Sequence, residues 1–209
     1  MKLRSDSFQH GTPIPSEFAF GKPGDSSPCE LSANRNPHLA WIEVPEGTKS
    51  FALICVDPDV PSKGDDVNQD DREVPADLLR VDFVHWLLAN ISADVREIAA
   101  GSCSDGVTAR GKRTPAGPAG SVQGMNDYSG WFAGDVDMGG DYLGYDGPCP
   151  PFNDALLHKY LFRLFALDVA KLELPPKFGM GELHRAMHGH VLAEAVHYGS
   201  YSLNPKVTN

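Results

Sequence analysis

Short apolar runs separated by turn residues set the pattern of this chain. Leu39-Ala40-Trp41-Ile42-Glu43-Val44 and Phe51-Ala52-Leu53-Ile54-Cys55-Val56 are rich in β-formers and flank Pro45-Glu46-Gly47-Thr48, a stretch with turn chemistry. The pattern predicts two strands joined by a short connection. The second is expected to stop at Asp57-Pro58, because Pro58 has no N–H to give a ladder. Residues 83–91 (FVHWLLANI) form the longest strand-like run. Regular alternation puts His85, Leu87, Ala89 and Ile91 on one face and Val84, Trp86 and Leu88 on the other. Both faces are largely apolar, which predicts a central strand. Residues 160–167 (YLFRLFAL) predict another strand, ending at Asp168.

The period changes near the C-terminus. Leu183, Met187, Val191 and Ala195 recur at i, i+4 with Leu192 and Val196 beside them, which predicts a helix over 182–197 closed by Gly199. The remaining stretches are polar. Residues 1–38 are rich in Pro, Gly, Ser and Asn and read as irregular, with Phe18 and Phe20 alternating as in a short edge strand. Residues 62–82 are acidic and read as a mobile, solvated insertion loop. Residues 101–151 hold 12 of the 21 glycines and five prolines, which argues against regular structure. Long loops of this kind are functional or disordered. The elements do not alternate strand and helix, so a doubly wound parallel sheet is not expected. The reading is a single β-rich domain, 1–209, with long loops and a late helix.

Composition narrows the function. With 18 basic and 28 acidic residues the net charge is −10, which disfavours phosphate backbones and anionic membrane surfaces. Arg110, Lys112 and Arg113 form the one local basic cluster and read as a solvated loop, so no nucleic-acid partner is expected. The four cysteines contain no CxxC pair, and no metal or cofactor is expected. His184 and His188 have i, i+4 spacing but no HExxH, and read as surface or capping groups. No run reaches the roughly 18 apolar residues of a membrane span. The start lacks the apolar core of a leader, so a cytoplasmic protein is expected.

The candidate chemistry lies in two distant clusters. The first is Asp57-Pro58-Asp59-Val60-Pro61 with His85; the second is Gly147-Pro148-Cys149-Pro150-Pro151 with His158 and Tyr160. His158 and Tyr160 are two apart at a strand start and share a face. Prolines stiffen both clusters. If the clusters meet, imidazoles and a phenol supply donors for an anion, while the aspartates support an imidazolium or accept an amine. A small phosphorylated or zwitterionic head group suits such a pocket. No GxSxG elbow is present, and Cys149 reads first as loop packing, so no catalytic residue is assigned.

These residues resemble the phosphatidylethanolamine-binding protein family. The resemblance runs through PEGTKSFAL at 45–53, DPDVP at 57–61 and His85-Trp86. It continues through Asn126-Asp127-Tyr128, GYDGPCPP at 144–151, His158-Lys159-Tyr160 and Gly189 to Tyr201. The PCPP form is most similar to the bacterial branch, often labelled Raf kinase inhibitor-like. The resemblance implies a large central antiparallel sheet, a smaller sheet packed on it, and a C-terminal helix over 189–193. It implies an anion pocket built from Asp57, Asp59, His85, Pro151, His158 and Tyr160. It implies a non-enzymatic binding role toward phosphorylated head groups, or inhibition of a kinase or protease, and a homodimer as in many bacterial members. Two features depart from the family pattern: the length of the 62–82 excursion, and the lack of a glycine between Pro151 and His158.

Overall fold

The computed structural model describes residues 1–207. Its centre is a five-stranded antiparallel sheet in the order β10-β9-β5-β6-β8. The strands are β5 (Ser50–Pro61), β6 (Arg80–Ser92), β8 (Val122–Gln123), β9 (His158–Leu167) and β10 (Val191–Tyr201). A second sheet, in the order β1-β4-β7, joins β1 (Lys2–Arg4), β4 (Leu39–Ile42) and β7 (Glu97–Ile98). A third joins β2 (Gly21–Lys22) to β3 (Glu30–Leu31). The predicted pair at 39–56 therefore splits between sheets, with β4 in the small sheet and β5 in the large one.

Alternation along β5 explains the layering. Phe51, Leu53 and Cys55 face the small sheet, where they meet Trp41, Leu39, Ile98 and the N-terminal Phe8, Ile14 and Phe18. Ala52, Ile54 and Val56 face the other way, toward Leu172, Phe178, Leu183 and Met187. Both faces are covered, so β5 reads as a continuous apolar run, and each fully buried Leu, Ile or Phe contributes about 1.5–3 kcal/mol over leaving it exposed.

Several expectations are corrected. The C-terminal helix is only α2, Met180–Met187. Gly189, at φ +82°, ends the helical path, and Val191–Tyr201 is the strand β10 paired with β9. The match of 189–193 to a helix falls with it. Gly199 does not cap anything: a Cβ there would lie 2.5 Å from Ile14 Cγ1 and 2.8 Å from Phe8 Cε2, so the glycine admits the N-terminal segment onto the sheet. Phe18 closes a 3-10 turn (Ser16–Phe18) rather than lying in an edge strand. Strand β5 does not stop at Pro58 but runs to Pro61 through a bulge, since Asp57 pairs with Phe83 and Val60 with Val81. A bulge is one place a sheet tolerates proline.

Two more bulges break the alternation predicted for β6. Cys55 pairs with Trp86 and Val56 with Val84, which leaves His85 as an extra residue. Near Asn90, at φ +59°, two residues of β6, Ala89 and Asn90, oppose the single Ala52 of β5. Ile91 thus joins Trp86 and Leu88 in the inter-sheet core, while Val84, Leu87 and Ala89 face α2. The long stretch 101–151 is largely irregular as expected, apart from β8 and the short helix α1 (Tyr128–Trp131).

Candidate functional site

The bulge at His85 and the alternation of β9 bring the two clusters together. The even positions of β9, Tyr160, Phe162, Leu164 and Ala166, share the inter-sheet face with the odd positions of β5. Asp57, His158 and Tyr160 therefore sit on one face at one end of the sheet. The His85 ring lies edge-on to Tyr160 at 5.1 Å between centroids. A cavity of about 150 Å³ opens here. Asp57, His85 and Tyr160 form its polar side, and Phe20, Phe83, Tyr128, Trp131 and Phe132 form an aromatic wall. Pro150 and Pro151 close one flank, and Val60, Val67 and Asn68 another. Of the six predicted residues, Asp57, His85, Pro151 and Tyr160 line the cavity, while Asp59 and His158 support it from behind.

His158 is completely buried and donates from both ring nitrogens: Nδ1 to Asp57 Oδ2 at 2.7 Å and Nε2 to Asp154 Oδ2 at 3.1 Å. Asp154 in turn receives a bidentate pair from Arg80 at 2.6 and 3.0 Å. Asp57, His158, Asp154 and Arg80 thus alternate in sign and sum to zero charge. Burial alone would lower the imidazole pKa, but the two carboxylates overcome it and raise it to about 9. His158 is an imidazolium at neutral pH. The same contacts hold the Asp154 carboxyl below its ordinary value against the effect of burial. The second oxygen of Asp57 accepts the Asp59 N–H at 2.8 Å, and Asp59 Oδ2 accepts the Lys159 N–H at 2.9 Å. Asp59 thereby ties the bulge of β5 to β9.

His85 has the opposite character. Its Nδ1 donates to the Asp146 carbonyl at 2.8 Å, so Nε2 is the nitrogen left for the cavity. Burial pushes its pKa below the ordinary value, against the pull of the Asp57 charge. Tyr160 Oη is buried without a hydrogen-bond partner. Burial and the nearby Asp57 charge drive its pKa well above the phenol range, so it stays a donor. A buried hydroxyl left unpaired costs about 1–3 kcal/mol, which a ligand acceptor would recover.

Four residues that support this site were given no such role by the sequence. Asp146 is fully buried and receives Asn34 at 2.7 Å, Lys112 at 2.6 Å and Asn126 at 2.9 Å. It fixes the loop whose carbonyl orients His85. Lys112 was expected in a solvated basic loop, but its side chain is 13% exposed and ion-paired to Asp146. Arg80 and Asp154 were hidden inside the acidic run and the link before His158. A lone basic residue beginning an apolar strand was the available signal for Arg80. His184 and His188 are exposed, as expected.

The acidic excursion is tied down rather than loose. It spans 62–79, because Arg80 already belongs to β6. Asn153 donates to the carbonyls of Asp66, Gln69 and Arg72 at 2.7–3.1 Å and accepts the Asn68 N–H at 2.9 Å. The loop places Gly64, Val67 and Asn68 at the cavity.

The fold agrees with what comparison finds. The family model described as phosphatidylethanolamine-binding protein matches residues 4–202, and the chain belongs to that family. A UPF0098 protein of Methanothermobacter thermautotrophicus is 35% identical over 201 residues, covering 96% of this chain and 98% of the relative. The UPF0098 protein YbhB of Escherichia coli is 29% identical, covering 93% and 96%. The crystal structure of YbcL from E. coli, described as a new member of the mammalian PEBP family, superposes with a TM-score of 0.68. The two are 28% identical, over 96% of this chain and 97% of that one. The PEBP homologue CT736 of Chlamydia trachomatis gives a TM-score of 0.65 at 27% identity over 96% of each chain. No helix among the described residues is long and apolar enough to cross a membrane.

Proposed function

We propose that the cavity binds the head group of a small phosphorylated ligand, and that the protein acts by binding rather than by catalysis. The carrying observation is the set of polar tips at one side of an apolar cavity: His85 Nε2, the unpaired Tyr160 hydroxyl, and an Asp57 whose charge His158 offsets in part while it still lines the cavity. At about 150 Å³ the space suits a head group rather than the larger ligands of typical enzyme clefts. Tyr160 donates to the anion. A phosphate monoanion shares its proton with His85 Nε2, which is equivalent to a dianion facing an imidazolium. Asp57 favours a zwitterion, because it can also receive an ammonium group.

A phosphoesterase built on Asp57, Asp59, His85 and His158 is disfavoured by geometry. Both nitrogens of His158 are engaged by carboxylates, and Asp59, tied to the Lys159 N–H, does not line the cavity. Neither is placed to attack a ligand held there.

Titration with phosphoethanolamine and inorganic phosphate, followed by phosphorus NMR and calorimetry, tests the reading. Phosphoethanolamine is expected to bind the more tightly of the two. The bound state holds one proton more than free neutral His85 and dianion. Affinity for phosphoethanolamine therefore falls with rising pH, approaching tenfold per unit above the phosphomonoester pKa of about 6. No binding at millimolar ligand, with His85 resonances unmoved, would contradict it.

A second reading, regulation of a kinase or protease through the cavity rim, draws on Trp131, which lines the cavity yet is 53% exposed. Neutralising the exposed Asp65, Asp70, Asp71 and Glu73 should change a pulled-down partner set if the acidic rim takes part; an unchanged set removes the loop from consideration.

A further inference from the structure

Cys29 and Cys149 lie 120 residues apart in sequence, yet their sulfurs are 3.7 Å apart. Both are free thiols and only partly buried. Cys55 and Cys103 are fully buried and have no such neighbour. The juxtaposition depends on Gly21 of β2. A Cβ at position 21 would lie 2.5 Å from Cys149 Sγ and 2.7 Å from Cys29 Sγ, so only glycine leaves room for both sulfurs. Tyr201 Oη donates to the Gly21 carbonyl at 2.9 Å and holds that backbone in place. Cys149 also lines the head-group cavity on one side, and with Cys29 it lines a separate surface groove on the other.

We propose that Cys29 and Cys149 are a hydroperoxide-responsive thiol pair whose disulfide closes beside the cavity and weakens head-group binding. The weakening rests on the pocket reading above; the thiol pair does not. The roles of the two sulfurs follow from their surroundings. Either thiol can donate to the other across this gap; donation by Cys149 lowers the Cys29 pKa to about 7 despite partial burial. The same donation, with burial, pushes Cys149 well above the thiol range. Cys29 is thus the thiolate nucleophile and Cys149 the resolving thiol.

The steps balance. The Cys29 thiolate attacks the hydroperoxide, the O–O bond breaks, and a sulfenic acid and an alkoxide or hydroxide form. Cys149 gives its proton to that base. Its sulfur then attacks Cys29, the S–O bond breaks, and hydroxide leaves as water after taking a proton from solvent. Two thiols and one hydroperoxide give one disulfide, one alcohol (or water) and one water. A dithiol reductant restores the pair. Closing the gap from 3.7 Å to a bond of about 2.0 Å brings the sulfurs together and so reshapes the part of the cavity wall that Cys149 forms. By linkage, a ligand that prefers the reduced form makes the disulfide easier to reduce by the same factor.

The test treats the reduced protein with hydrogen peroxide and maps peptides without reduction. The expected result is loss of two of the four thiols, a Cys29–Cys149 peptide pair within one chain, and reversal by dithiothreitol. Cys149→Ser should leave a dimedone-trappable sulfenic acid on Cys29, and Cys29→Ser should leave Cys149 unreacted. Four surviving thiols at a dose that oxidises free glutathione, or a bond to Cys55 or Cys103, would overturn the pair. Phosphoethanolamine should bind the oxidised form about fivefold or more weakly than the reduced form. Equal affinities would overturn the coupling. If the reduced protein binds no phosphoethanolamine while mapping still finds the pair, the pocket reading fails and the thiol pair stands.

Discussion

His85 and His158 stand at the same end of the same sheet, 3% and 0% exposed, and their proton affinities move in opposite directions. Around His158, carboxylates engage both ring nitrogens, and a third partner, Arg80, balances the second carboxylate. Around His85, one nitrogen meets a carbonyl and the ring is packed among Phe83, Tyr128 and Tyr160. Burial penalises the imidazolium in both places; only the clamp compensates it. The difference teaches that burial alone holds one histidine toward its neutral form, while a carboxylate on each ring nitrogen fixes the other as a structural cation.

The sharpest way to break the comparison is to remove each imidazole in turn. His158→Ala leaves Asp57 and Asp154 facing each other in a buried site. It should cost about 3–5 kcal/mol in urea unfolding, with binding lost alongside. His85→Ala removes one hydrogen bond and the packing of a buried ring but strands no charge, and should cost less, about 2 kcal/mol. Equal losses would mean that the clamp is not the stronger element.

The pH dependence of stability separates the two as well. His158 has its folded pKa raised from 6.5 to about 9. Its contribution is complete below about 6.5 and is lost as pH rises through 9, worth roughly 3 kcal/mol in all. His85 has its folded pKa lowered, so its contribution is present above 6.5 and declines as pH falls. Denaturation midpoints between pH 6 and 10 check the first, and between pH 7 and 5 the second.

Affinity should follow the other histidine. His85→Ala is expected to weaken phosphoethanolamine binding about 10–100-fold, the worth of a charge-assisted hydrogen bond. The smallest effect belongs to Tyr160→Phe. It removes a buried hydroxyl that has no partner in the protein, so stability should stay level or rise by up to about 1 kcal/mol. Affinity should fall about 2–10-fold. A loss of stability without a loss of affinity would place the hydroxyl in packing rather than recognition.

Much of this arrangement was legible in the residues. The runs at 51–56, 83–91 and 160–167 announced the central strands, and the two-residue spacing of His158 and Tyr160 gave their shared face. The family resemblance supplied the expectation that distant clusters meet. What stayed hidden was set by contacts between distant segments. The helical spacing read over 182–197 continues past Met187 through Val191 and Ala195, yet pairing with β9 makes Val191–Tyr201 a strand. Gly189 inside that pattern was the overlooked stop. The bulges at Pro58, His85 and Asn90 arise from register between β5 and β6, which no single strand's pattern reports. The buried roles of Lys112, Arg80 and Asp154 were masked by charged or polar neighbours in sequence, although each has a specific partner in space.

The most direct test is an NMR titration of the histidine ring nitrogens with and without phosphoethanolamine. Without ligand, His158 should hold both protons past pH 8 while His85 is neutral at pH 7 with its proton on Nδ1. With ligand, the His85 Nε2 signal should shift and its pKa should rise, while His158 stays charged. A ligand response at His158 with none at His85 would contradict the account.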